Sequence, residues 1–197
     1  IYEKNGEING ISELEKYLFK PAQIMILLFP IMLVGFYMLA AFFIRHFLPQ
    51  YAIAIYPFLI ILIGRFFVSF SPTSFAFITA MNKQRFLIPA YLAGIVIMVS
   101  SGIVFMHMGL GVTGAVSGLF LAYFFIGSVT FIYSIHHYIG NIFKCLRYMG
   151  MSILPLAYVF AILFIIEIII PNSQGIFSDA LRLAAKSCLL FIMSLPL

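Results

Sequence analysis

A single arginine, Arg65, lies deep within a long apolar segment of the chain. The segment begins at about Ala52, so Arg65 lies roughly 20 Å along a helix that rises about 1.5 Å per residue. That depth is near the middle of a hydrocarbon core about 30 Å thick, where a lipid-facing arginine costs about 2.5–3.5 kcal/mol. A guanidinium binds phosphate or carboxylate in a bidentate manner. Arg65 is therefore predicted to bind an anion in a water-filled cavity. The alternatives are a structural ion pair, or a span that starts later and leaves Arg65 shallower.

Hydroxyl side chains continue along the same segment around Pro72. They are Ser69, Ser71, Thr73 and Ser74. Ser69 lies one helical turn beyond Arg65, so the two share a face, and Ser69 is a second candidate for substrate binding. The alternative is structural, because a proline frees a backbone carbonyl that a hydroxyl can bond, and small residues allow helices to pack closely.

Glu167 is the only acidic residue within the first five predicted spans. A carboxylate at this position is a candidate for coupling transport to a proton or a cation. Its place near the end of its span favours the alternative, an interfacial carboxylate that reaches water. It is also placed to pair with Arg182 or Lys186.

Arg45 and His46 end the first predicted span. Snorkelling to the interface is the default interpretation of such residues, and a place at the mouth of a cavity is the alternative.

The pair His136-His137 raises the question of a metal, but the chain has only four histidines, on different loops, and one metal takes three or more ligands. No nucleophile elbow, phosphate-binding loop or dinucleotide-binding turn is present, so neither an enzyme nor a cofactor is predicted.

The elements that must position these residues follow from composition. Of 197 residues, 64% are hydrophobic and only 9% are charged, with a mean hydropathy of +1.15. A soluble domain has about 25% charged residues. The sequence therefore predicts an all-α, polytopic transmembrane bundle of about six spans. The net charge of +5 belongs to the loops of such a protein, so no nucleic-acid partner is predicted.

The six predicted spans follow a water-exposed, cytoplasmic lead-in, residues 1–21, in which a short interfacial helix is expected from Ile11. The spans cover about residues 22–47, 52–81, 86–108, 112–135, 151–170 and 179–197. Gly109, Gly111 and Gly114 are expected to make a tight turn between the third and fourth spans. The segments 82–85 and 136–149 are expected to be polar loops.

The loop charges predict the orientation of the bundle. Seven basic residues lie on the side that carries the N-terminus, namely Lys4, Lys16, Lys20, Lys83, Arg85, Lys144 and Arg147. The opposite side carries two, Arg45 and Arg182. Because short cytoplasmic loops are enriched in Lys and Arg, the N-terminus is predicted to be cytoplasmic.

Three spaced motifs carry a family resemblance. They are Leu48-Pro49-Gln50-Tyr51 with Ala54, Thr79-Ala80-Met81-Asn82-Lys83-Gln84-Arg85, and Gly109-Leu110-Gly111-Val112-Thr113-Gly114-Ala115. In this order the chain resembles the C-terminal lobe of the polysaccharide flippases in the multidrug/oligosaccharidyl-lipid/polysaccharide exporter superfamily. The likeness is best between about Lys20 and Tyr138.

The resemblance implies a two-lobed transporter of the bacterial cytoplasmic membrane that works by alternating access. Its substrate would be a glycan linked to a polyprenyl pyrophosphate, such as a repeat unit of O-antigen, capsule or exopolysaccharide. It also implies that the chain is a piece of a longer protein whose N-terminal lobe is missing here. The alternatives are a cation-coupled multidrug exporter of the same superfamily and a non-transporting scaffold of envelope assembly.

Overall fold

The computed structural model describes residues 11–69, 71–139, 142–169 and 186, and every regular element in this part is helical. The described part contains six α-helices and three short 3₁₀ or π turns, Pro49–Ala54, Gln84–Phe86 and Met106–Leu110. The helices are α1 (Ile11–Phe47), α2 (Ile55–Val68), α3 (Ser71–Ala80), α4 (Leu87–Phe105), α5 (Gly111–Ile139) and α6 (Ile142–Ile169). The predicted all-helical class is confirmed for the described residues.

Three helices extend beyond the predicted spans. Helix α1 begins at Ile11 and continues through Pro21, where the sequence suggested a boundary between the lead-in and the first span. Helices α5 and α6 occupy most of the predicted loop 136–149, up to Ile139 and from Ile142. The physical reason is that hydropathy measures preference for lipid, whereas helical hydrogen bonds are internal and persist where polar residues enter water.

The second predicted span, 52–81, is divided instead of continuous. A 3₁₀ turn at Pro49–Ala54 precedes α2, and α2 ends at Val68 before α3 begins at Ser71. Pro72 explains the division, because it has no N–H to bond the carbonyl of Val68. The segment thus contains two helices.

The predicted loop 82–85 is confirmed as an exposed turn. Helix α3 ends at Ala80, and Asn82 in the turn that follows adopts a left-handed φ of 55°. The N–H of Lys83 then donates to the carbonyl of Ile78 at 3.0 Å, a bond that satisfies a free carbonyl of the last helical turn.

Helices α4 and α5 form an antiparallel hairpin around the predicted glycine turn. Gly109 and Gly111 adopt φ values of 86° and 51°, which the lack of a Cβ permits, so the predicted tight turn is confirmed. A Cβ at position 118 would lie 2.6 Å from the backbone nitrogen of Gly102. The two backbones therefore approach each other as closely as glycine allows.

Helix α5 is the centre of the bundle, since it packs against α2, α3, α4 and α6. The main core cluster joins four helices and consists of Leu33, Leu62, Phe66, Phe67, Phe131, Ile135 and Leu156. A second cluster joins α1 to α6 and consists of Val34, Met38, Val159, Ile162 and Leu163. Phe66 and Val159 are fully buried.

The outer surface of the bundle is apolar. On α4, for example, Ile88 and Val96 are 64% and 66% exposed. Three apolar helical stretches are long enough to cross a membrane, Ile24–Phe47, Pro49–Ala80 and Gln84–His136, and a shorter one covers Met149–Ile165. These features indicate a membrane-associated helical protein. The predicted sixth span lies outside the described residues, except Lys186, which is helical and buried.

Candidate functional site

Arg65 lies in the last turn of α2, and its side chain is exposed on the surface of the bundle. It is ten residues beyond Ile55, which corresponds to about 15 Å of helix after the 3₁₀ turn. Helix α3 adds another ten residues on the other side. The stretch Pro49–Ala80 therefore holds Arg65 close to its midpoint, and the Arg65 side chain lies outside the packed core.

Tyr123 of α5 supports the guanidinium of Arg65. The guanidinium carbon lies 5.1 Å from the centroid of the Tyr123 ring, within the range of a cation–π interaction. Such contacts contribute about 0.5–1 kcal/mol at exposed sites and about 2 kcal/mol when desolvated. The guanidinium has five N–H donors, and those that do not point at the ring remain able to bind an anion.

Gly64 brings the two residues together. A Cβ at position 64 would lie 3.1 Å from Cδ2 of Tyr123 and 3.4 Å from Cα of Phe120, so α5 packs closely against α2 here. One turn further on, the backbone of Phe67 lies directly against Gly127. Residue numbers rise together in these two contacts, so α2 and α5 run parallel. This packing holds Tyr123 beside Arg65.

Tyr123, which lies within α5 and is half-buried, was not among the residues predicted from the sequence. A tyrosine in the middle of an apolar helix is itself a signal, because a phenol usually has a polar or charged neighbour. Which neighbour it has depends on the register of α2 against α5.

Ser69 does follow Arg65 by one turn, and its backbone N–H donates to the Arg65 carbonyl at 3.0 Å. Its hydroxyl, however, donates to the carbonyl of Phe66 at 2.6 Å. The Phe66 carbonyl also accepts the Ser69 N–H at 3.1 Å, so the hydroxyl bonds the last turn of α2 and not the Val68 carbonyl that Pro72 leaves free. The contact with substrate proposed for Ser69 gains no support from this geometry.

The remaining hydroxyls around Pro72 turn toward the bundle interior. Ser71 and Ser74 are buried, at 6% and 2% exposure. Ser134 of α5 hydrogen-bonds the Ser74 carbonyl across the helix interface at 3.4 Å and the Thr130 carbonyl of its own helix at 2.9 Å. Ser134 therefore links α5 to the backbone of α3, whereas the buried Ser71 hydroxyl has no hydrogen-bond partner among the described residues.

Arg45 and His46 occupy the last turn of α1. Arg45 is exposed, whereas His46 is half-buried, with Nδ1 3.0 Å from the Phe42 carbonyl oxygen, where the ring N–H donates. The imidazole also lies against the Phe42 ring, at a centroid distance of 4.6 Å. Both residues end the helix as predicted, and the structure does not bring them to Arg65.

The backbone of Glu167 belongs to α6, and its side chain lies outside the described part, as does all of Arg182. His136 is exposed near the end of α5, and His107 is exposed in the turn Met106–Leu110. Among the described residues, no group of three or more metal-ligating side chains comes together.

The site therefore consists of an exposed guanidinium at the midpoint of an apolar stretch, stacked on a tyrosine of the central helix. Comparisons of the chain with family models, with curated proteins and with solved structures give no match.

Proposed function

We propose that this chain is one lobe of a flippase that carries a glycan linked to a polyprenyl pyrophosphate across the bacterial cytoplasmic membrane. The observation that carries the proposal is the exposed guanidinium of Arg65 at the midpoint of the stretch Pro49–Ala80. A cation at this depth is unfavourable against lipid, so it requires water or an anion. A pyrophosphate supplies the anion, and its oxygens match the donor fork of arginine.

The charge of the described part favours an anionic substrate over a cationic one. The sequence has no Asp or Glu between Glu15 and Glu167, so Arg65 makes the middle of the described bundle positive. An exporter of cationic drugs needs a carboxylate in its cavity. The only acidic residue of the first five predicted spans is Glu167, near the end of its span.

In this proposal the described helices form five crossings, with α2 and α3 sharing one of them. A second lobe, contributed by the rest of a longer protein, faces the Arg65 surface and encloses the transport path. The apolar faces of the other helices contact lipid. Alternating access then exposes Arg65 first to the cytoplasm and then to the opposite side of the membrane.

Transport is tested by reconstituting the full-length protein in liposomes that contain a fluorescent glycan linked to undecaprenyl pyrophosphate. We expect the protein to speed transfer of the glycan between leaflets, measured as its accessibility to an added lectin. A glycan on a neutral polyprenol is the matched control and is expected to remain in its leaflet. Equal transfer of both lipids would contradict the role of the pyrophosphate, and transfer of neither would contradict the flippase.

The proposed orientation gives a separate prediction about two exposed glutamines in turns, Gln50 and Gln84. In a background with both native cysteines replaced by serine, Gln84→Cys is expected to resist a membrane-impermeant maleimide added to intact cells. Gln50→Cys is the matched control and is expected to be labelled, because it follows an odd number of crossings. Labelling of Gln84→Cys but not Gln50→Cys would reverse the orientation that the positive-inside bias predicts.

A further inference from the structure

We propose that Tyr123 is a positioning residue of this site, which holds the Arg65 guanidinium in the orientation that receives a pyrophosphate. This inference rests on the proposed function. It assigns a role to a residue of the central helix that does not itself need to contact the substrate.

The first argument is the freedom of an exposed arginine. Arg65 has a long side chain that projects from the surface of α2, and immobilising such a side chain costs rotamer entropy. The Tyr123 ring, with its centroid 5.1 Å from the guanidinium carbon, restricts this freedom before the substrate arrives. A binding group that is already ordered loses less entropy on binding.

The second argument is the rigidity of the support. Tyr123 is half-buried on the helix that packs against four others, and its ring lies against the backbone at Gly64. The neighbouring rings are also packed, with Phe67 and Phe124 edge-to-face at 4.8 Å. The tyrosine ring is therefore held in place relative to α2, and its contact with the guanidinium restrains the orientation of Arg65.

The third argument concerns the chemistry of the ligand. The face of an aromatic ring attracts a cation, but it offers no acceptor that would occupy the in-plane N–H groups of the guanidinium. A carboxylate partner would neutralise the arginine and compete with the substrate. An aromatic support keeps both the charge and the two-donor fork available, which suits a dianionic headgroup such as pyrophosphate.

The test is a double-mutant cycle on the full-length protein in nanodiscs, with undecaprenyl pyrophosphate as the probe. Tyr123→Leu is expected to weaken binding about tenfold, and Tyr123→Phe, which keeps the ring face, to stay within about threefold. In an Arg65→Gln background, Tyr123→Leu is expected to have no further effect, because the cation it positions is gone. Tyr133→Leu, which removes another α5 tyrosine stacked on Phe86, is the matched control and is expected to bind normally.

The outcomes separate this inference from the proposed function. If Arg65→Gln binds as tightly as the unmodified protein, the proposed role of Arg65 fails. If Arg65→Gln weakens binding but Tyr123→Leu has the same effect in both backgrounds, the positioning role alone is overturned. If Tyr123→Leu does not fold, Tyr123→Met removes the ring face with a flexible side chain, and normal binding by Tyr123→Met would equally overturn the role.

Discussion

Replacement of Arg65 by alanine is expected to abolish glycan export by the full-length protein while its level in the membrane remains unchanged. Arg65 is exposed, so its removal leaves no cavity in the core and no buried partner unsatisfied. The substrate loses a large part of its binding free energy. A hydrogen bond to a charged group contributes about 1.5–3 kcal/mol, and a bidentate pair forms two such bonds. Affinity for the pyrophosphate should therefore fall by a factor of about 10² or more.

Surface display of the glycan and immunoblotting of membranes measure the two quantities. Arg65→Lys should retain part of the export, because the charge remains while the planar fork is lost. Arg45→Ala is the matched control, since Arg45 is also an exposed arginine but ends α1. Normal export by Arg65→Ala would contradict its role in the site. Loss of the Arg65→Ala protein from the membrane would show instead that Arg65 forms an ion pair needed for folding.

The second large effect is expected at Gly118, where alanine should destabilise the α4–α5 hairpin. The added Cβ would lie 2.6 Å from the backbone nitrogen and 2.7 Å from Cα of Gly102, and 2.8 Å from the carbonyl oxygen of Met98. Backbone atoms of a packed helix cannot turn aside as a side chain can, so the helices must separate. Overpacking of this kind costs about 1–3 kcal/mol. For a chain of this size that corresponds to a fall in melting temperature of roughly 3–10 °C.

Gly102→Ala provides a control within the same interface. A Cβ at that position would lie 3.8 Å from Ala115, at ordinary van der Waals distance, and it brings the same gain in helix propensity. The fraction of protein that remains monodisperse in detergent after heating, followed by gel filtration, compares the two variants. Equal stability of Gly118→Ala and Gly102→Ala would show that the close approach of α4 and α5 is absent.

Composition and hydropathy were sufficient for the helical class and for the positions of the long apolar segments. The place of Arg65 in an apolar segment and the glycine turn were also predictable. A charge within apolar residues and glycines between two apolar segments are local features, visible without knowledge of the fold. Helix ends were less predictable, as the continuation of α1 through Pro21 shows, because a helix is stable in water as well as in lipid.

The sequence around Pro72 was compatible with two arrangements of the hydroxyl groups, either along an exposed face or within the bundle. The packing of the helices determines which one forms. The hydroxyl of Ser69 bonds the end of α2, and Ser74 lies at the interface with α5. A helical wheel places Ser69 on the face of Arg65, but it cannot show whether a hydroxyl bonds a backbone carbonyl or faces an open surface. That depends on where the neighbouring helix lies.

The sequence alone thus determined that the chain is helical and apolar, with one arginine near the middle of its second apolar segment. Only the tertiary structure decided which residue supports that arginine. Tyr123 is 58 residues from Arg65 along the chain, and the two meet because Gly64 and Gly127 let α2 and α5 pack backbone to backbone in one register. Register is a property of two surfaces in contact, and a shift of one helical turn would move Tyr123 about 5 Å away from Arg65.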